Sequence, residues 1–238
     1  MSNITTNLIK AENKARDIAI KSHPDVFELV DRMMKLYIDG LNLARNSDNK
    51  GSSTDKVWLF LVTRSFHSII CSVQLMEKGY YAQAMTLVRM VIEAYFLCGN
   101  CKKNKSIMDA LLYNKPNRPD RKTKFDYRAL ATRMGASDWY DNDYVFACQF
   151  SHTSHLSLDI MTASSNSSYR TLKLVPSYDE LLFVACCKLL LRNGLLMTKF
   201  LGILLDDSSK QNVNTWHIKA ETAVQQAQEW LDGLKGRY

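Results

Sequence analysis

The chain has 238 residues, 46% apolar and 23% charged, with a formal net charge of +7. That length supports one sizeable core, and the balance of apolar to charged residues is that of a soluble globular protein. Only four prolines and nine glycines are present, too few for the many tight turns of an all-β protein, so long helices are expected.

In chain order, a first helix is predicted over Ile4 to Lys21. Ser22-His23-Pro24-Asp25 closes it and opens the next, with Ser22 as N-cap, proline in the first turn and Asp25 at the capping-box position. The second helix runs to about Asn46, with Phe27, Val30, Met33, Met34, Tyr37 and Leu41 on one apolar face. A polar loop, Asn46 to Ser53, precedes a third helix from Thr54 to Lys78, which stops at Gly79, a favoured position beyond a helix end. A fourth helix follows at once, Tyr80 to Cys98, stopped by Gly99-Asn100. The short turn makes the third and fourth helices an antiparallel hairpin.

Between Cys101 and Arg133 ten Lys or Arg face only Asp109, Asp120 and Asp126, so this stretch holds the whole net charge. It contains a short helix near Ser106 to Tyr113, a break at Pro116–Pro119 and a helix from about Lys124 to Met134. A further helix from Asp138 leads into Ser151-His152-Thr153-Ser154-His155. After a polar loop at Ser164 to Ser168, Thr171 to Val175 reads as extended, half of a small β-hairpin insertion near 158–176. Pro176-Ser177 and Glu180 restart a long helix that ends at Asp206, and an amphipathic helix closes the chain from about Thr215 to Leu234. The expected fold is all-α, a multi-helix up-down bundle in one domain spanning 1–238. Its core is 54–205, flanked by N-terminal helices over 4–46 and the C-terminal helix at 215–234.

The N-terminus lacks a continuous apolar signal segment. Leu181 to Leu205, the most hydrophobic stretch, is interrupted by Lys188, Arg192 and Lys199 on one stripe, which predicts a buried central helix rather than a lipid-spanning one. The expectation is a cytoplasmic chain with reduced cysteines and no membrane partner.

Three groups of residues have the types and spacing for chemistry. Arg89 and Glu93 lie four apart in an almost wholly apolar helix, so they pair along one face; Gln83 and Thr86 share it. Arg64 and His67 lie on one side of the preceding helix, and the hairpin can bring them to Arg89 and Glu93. Ser151, His152 and His155 offer imidazoles for proton transfer near neutral pH and hydroxyls for phosphate oxygens. A zinc set of Cys98, Cys101, Cys148 and His152 has a knuckle spacing in only one half, so neither a metal nor a cofactor is expected. No phosphate-binding glycine loop, dinucleotide fingerprint, nucleophile elbow or zinc-protease motif occurs. Arg118, Arg121, Lys122, Lys124 and Arg128 form the candidate nucleic-acid contact, with Phe125 and Tyr127 able to stack on bases.

The run from Arg64 through Phe96, containing KGYYAQAMTLVRMVIEAYF, and the later FSHTSH resemble a bacterial family of helical domains of unknown function found near mobile elements and defence genes. The resemblance covers about residues 55 to 205. It implies an all-α bundle whose Arg and Glu on one helix match Arg89 and Glu93, and whose Ser-His matches Ser151 and His152. A looser similarity is to HEPN domains, helical bundles that act as metal-independent ribonucleases; the matching residues are Arg16 and His23, which sit earlier in the chain than the HEPN motif does. The function expected on these grounds is a defence or toxin-type effector acting on RNA or nucleotides by metal-independent acid/base chemistry. The alternative is a non-catalytic scaffold or ligand-sensing module that docks a partner protein from a neighbouring gene, or nucleic acid. A homodimer is compatible with either.

Overall fold

The computed structural model describes residues 4–45, 53–101, 104–112, 125–151, 162–163, 171–172, 176–205 and 211–234. The fold is all-α. Helices α1 (Ile4–Ser22), α2 (Pro24–Arg45), α3 (Ser53–Glu77), α4 (Tyr81–Cys101) and α5 (Lys105–Leu112) are followed by the shorter α6 (Tyr127–Arg133) and α7 (Ser137–Trp139). A π-helical turn at Tyr140–Tyr144 runs into α8 (Val145–Ser151); α9 (Glu180–Leu205) and α10 (Gln211–Gly233) complete the bundle. Two residue pairs, Thr162 with Leu172 and Ala163 with Thr171, make a minimal antiparallel ladder within the expected hairpin region.

The α3–α4 hairpin turns on Gly79. Its φ of 87° lies in the left-handed region that a Cβ disfavours. Its N–H bonds Met76 O at 3.1 Å and the next N–H, from Tyr80, bonds Leu75 O at 2.9 Å, so two carbonyls at the end of α3 are satisfied. α9 packs across this hairpin and against α2. Tyr37, fully buried, donates from its hydroxyl to Gly194 O at 2.7 Å, and Trp58 Nε1 donates to Cys98 O at 2.8 Å. Aromatic residues thus fill the centre while their polar atoms satisfy helix carbonyls.

Gly99 and Asn100 do not stop the fourth helix, which runs on to Cys101. A Cβ on Gly99 would stand 2.2 Å from Met134 Cε, so the glycine admits the side chain that follows α6. Asn100 is buried and donates to Phe96 O and to Leu130 O. Both residues fasten α6 to α4. The last helix starts at Gln211, four residues earlier than its sequence pattern suggested.

The expectation of a cytoplasmic chain is overturned by three helices. Thr54–Glu77, Tyr81–Cys101 and Glu180–Leu205 are each long and apolar enough to cross a membrane by length and composition, with mean hydropathies of 1.4, 1.2 and 1.6. Lys188, Arg192 and Lys199 are spread along Leu181 to Leu205, a stretch longer than the roughly 20 residues that span a bilayer core. An 18-residue window inside that helix holds no more than two charged residues. The bundle buries 39%, 61% and 67% of the respective windows, so α3 presents the widest outward face.

Candidate functional site

α4 carries a polar stripe of Thr86, Arg89 and Glu93 toward α6 and the π turn–α8 segment. Ser151 Oγ donates to Thr86 Oγ1 at 3.3 Å, and Tyr144 Oη donates to Glu93 Oε1 at 3.2 Å. Seven residues forward on α4 match seven backward on the facing segment. This is the register of two antiparallel helices. Arg89 Nε lies 3.6 Å from the same Oε1 of Glu93, with the side chains 24% and 18% exposed. At that distance the pair is ionic without being a hydrogen bond, and Arg89 Nε is buried without a hydrogen-bond partner among the described residues.

Tyr127 of α6 adds a second phenol. It hydrogen-bonds to Glu93, and its ring lies 5.6 Å from that of Tyr144. Burial, reinforced by the Glu93 charge, pushes both phenols well above their ordinary pKa, while Arg89 pulls both back and Arg64 also pulls on Tyr127. Both tyrosines therefore hold their protons at neutral pH and donate them to Glu93. The carboxylate is the hub of the cluster, tying α4 to two other elements.

The π turn explains how one short segment serves two helices. Val145 N–H reaches back to Tyr140 O, five residues away, in place of the α-helical four. Asp143 and Tyr144 then point to different neighbours, Tyr144 to α4 and Asp143 to α9. Asp143 is 3% exposed and accepts from Arg192 Nη1 and Asn193 Nδ2, each at 3.0 Å. Trp139 Nε1 donates to Asn193 Oδ1 at 2.9 Å, and the Arg192 guanidinium lies 5.1 Å from the Trp139 ring centroid. Burial raises the Asp143 pKa; Arg192, Asn193 and Trp139 offset part of that rise.

Of the residues singled out from sequence, Arg89 and Glu93 share the site, with Ser151 one register step away at Thr86. Arg64 is exposed and contributes through its charge on Tyr127. His67 is exposed, its ring 6.0 Å from that of its neighbour Phe66. His152, His155, Arg118, Arg121, Lys122 and Lys124 lie outside the described residues. Arg128 is exposed, lies over the Tyr140 ring at 6.0 Å and faces Asp141 Oδ1 at 3.8 Å.

Tyr127 and Phe125 turn toward the core rather than outward as base-stacking groups. Arg16 pairs with Glu77 at 3.5 Å, while His23 bonds the Tyr178 hydroxyl at 3.0 Å and stacks on Phe183. Those two residues are thus engaged with different helices. Cys98 and Cys101 are buried in the core, and among the described residues no three His, Cys, Asp or Glu gather as metal ligands.

Tyr144 and the Asp143–Arg192–Asn193 group escaped the sequence reading as site residues, and Tyr127 entered it only as a base-stacking group. One signal for the last was available: Arg192-Asn193 sits in the middle of the most apolar helix, where polar side chains require partners.

Comparison with family models, curated proteins and solved structures finds no match.

Proposed function

We propose that the α4 stripe binds an anionic, phosphate-type group, in a helical module that recognises its ligand without cleaving it. The observation that carries this reading is the occupation of Glu93. One of its oxygens faces Arg89 and accepts from Tyr144, and the carboxylate also holds the phenol of Tyr127. Phenols whose pKa is raised by burial are poor sources of a nucleophile. The remaining capacity is electrostatic. Arg89 faces the carboxylate, Arg64 acts through its charge on Tyr127, and among the described residues Arg89 Nε is without a hydrogen-bond partner. Arginine suits phosphate oxygens because its planar donors match them in pairs. The basic 101–133 stretch supplies a longer-range attraction for a phosphate-rich ligand such as nucleic acid.

The test is binding of a 5′-phosphorylated single-stranded oligonucleotide, RNA and DNA in parallel, by fluorescence anisotropy across a salt series. Arg64→Ala should weaken binding by about tenfold, as expected for a lost charge-assisted contact. Neutralising Lys122, Lys124 and Arg128 together should flatten the salt slope by about 0.7 per lost contact. Undetectable binding at low salt refutes the proposal.

A second reading rests on one contact. Ser151, which precedes His152 in the sequence, sits on Thr86, one turn from Arg89. This favours the metal-independent RNA-cleaving reading, in which His152 or His155 moves protons and Arg64 and Arg89 stabilise phosphoryl charge. Cleavage of RNA by the wild-type chain that disappears in His152→Ala would establish that reading in place of the first.

A further inference from the structure

α9 and α10 enclose a groove unrelated to the α4 stripe. Its apolar surface comes from Gly202 and Ile203 of α9 and Trp216, Ala220 and Val224 of α10, around a cavity of about 630 Å³. Gly202 lets the helices approach: a Cβ there would meet His217 Cε1 at 3.2 Å and Trp216 Cζ3 at 3.5 Å. Ile203 and Val224 are 43% and 41% exposed, an unusual state for β-branched residues that face each other across one groove.

The charges lining it run against those of the whole chain. Among the described residues Lys199 is the one lining lysine or arginine, whereas Glu221, Glu229 and Asp232 supply carboxylates, giving those residues an excess of two negative charges on a chain of net +7. All three carboxylates lie on α10, Glu229 and Asp232 toward its C-terminal end. From Trp216 to Asp232 the groove follows the helix for about 24 Å. A cavity of this volume is in the range of small-molecule sites, and its length makes it narrow.

We propose that this groove binds a small amphipathic cation, an extended apolar chain ending in an amine or quaternary ammonium. The apolar chain would lie against Trp216, Ala220 and Val224, with the cationic end among Glu221 and Glu229. The charge argument selects this occupant. A fatty-acid-like anion would be repelled by the carboxylates, and a neutral chain would gain nothing from them.

The probes are decyltrimethylammonium and decanoate, each below its micelle-forming concentration, titrated calorimetrically into the full chain at matched ionic strength. The cation should bind one site, saturably, at least tenfold more tightly than the anion, although the net charge of the chain favours the anion. Ala220→Phe should abolish the binding by filling the groove. The surface pair Glu221→Gln/Glu229→Gln, which leaves the packing of α10 intact, should weaken the cation at least fivefold and strengthen decanoate. Decanoate binding as tightly as the cation, uptake of many equivalents without saturation, or equal cation affinity in the Gln pair overturns the proposal. So does binding of a basic amphipathic peptide with no binding of the cation, which would make the groove a seat for a partner helix.

Discussion

Replacing Glu93 with leucine removes the hub of the α4 cluster and exposes how much the surrounding groups depend on it. Two phenols lose their acceptor, and Arg89 loses its counter-charge while its Nε stays buried. Hydrogen bonds to a charged group contribute about 1.5–3 kcal/mol each, and the 3.2 Å bond from Tyr144 belongs at the low end. The ion pair is worth less than a fully buried one, because both side chains retain some solvent contact. The expected loss for Glu93→Leu is about 3 kcal/mol, and for Glu93→Gln, which keeps an acceptor for the phenols, about 1 kcal/mol. Arg89→Leu/Glu93→Leu should be less destabilised than the sum of the two single changes by about 1–2 kcal/mol, since neither charge is then left alone. Urea unfolding at pH 7, with the slope m held constant across the series, reads these values. Additive effects in the double variant, or Glu93→Leu within about 0.5 kcal/mol of wild type, a typical surface effect, would refute the hub.

Two further outcomes follow from the packing around it. Asp143 has a raised pKa in the folded state, so folding favours its protonated form; its contribution is fullest below the unfolded value near 3.8 and falls as pH rises through the folded value. Asp143→Asn should therefore flatten the stability profile over that window, measured by thermal melts at intervals from pH 3 to 7, and an unchanged profile would show that the carboxylate is not desolvated. Gly99→Ala should cost about 1–3 kcal/mol through overpacking on Met134, and Met134→Ala in the same chain should recover part of it; equal loss with and without the second change would place the strain elsewhere.

The all-α architecture was legible because periodicity and breakers agree: the Gly79 turn, the break before Pro24 and the long apolar run from Glu180 each point one way, although Ser22, the expected N-cap, is the last residue of α1. Arg89 and Glu93 were legible because an i, i+4 ion pair in an apolar helix is a local pattern. Their partners were not, since Tyr127 and Tyr144 reach Glu93 only after α6 and the π turn have docked, and no local spacing encodes that. Tyr127 sits in a basic stretch whose charge suggests an outward, base-stacking role, and tertiary packing turned it inward. Gly99 illustrates the opposite error: it matches the signal for a helix stop, yet its function is close packing with Met134. The cytoplasmic expectation failed because the three cations of Leu181–Leu205 are spread over a stretch longer than a bilayer requires, and a shorter window holds no more than two charged residues.

The π turn at Tyr140–Tyr144 has a consequence for how this chain can change in length. A regular helix cannot lose a residue without rotating everything beyond the loss by about 100°. A turn closed by a five-residue reach already accommodates one residue more than an α-helical turn does. Asn142 is exposed; its deletion would let the turn tighten to the α form while Trp139 and Ser151 kept their faces toward α9 and α4. The change would fall on the seam where Asp143 and Tyr144 divide their attention between two helices. Length variation is usually relegated to loops, but here a helix has room for it.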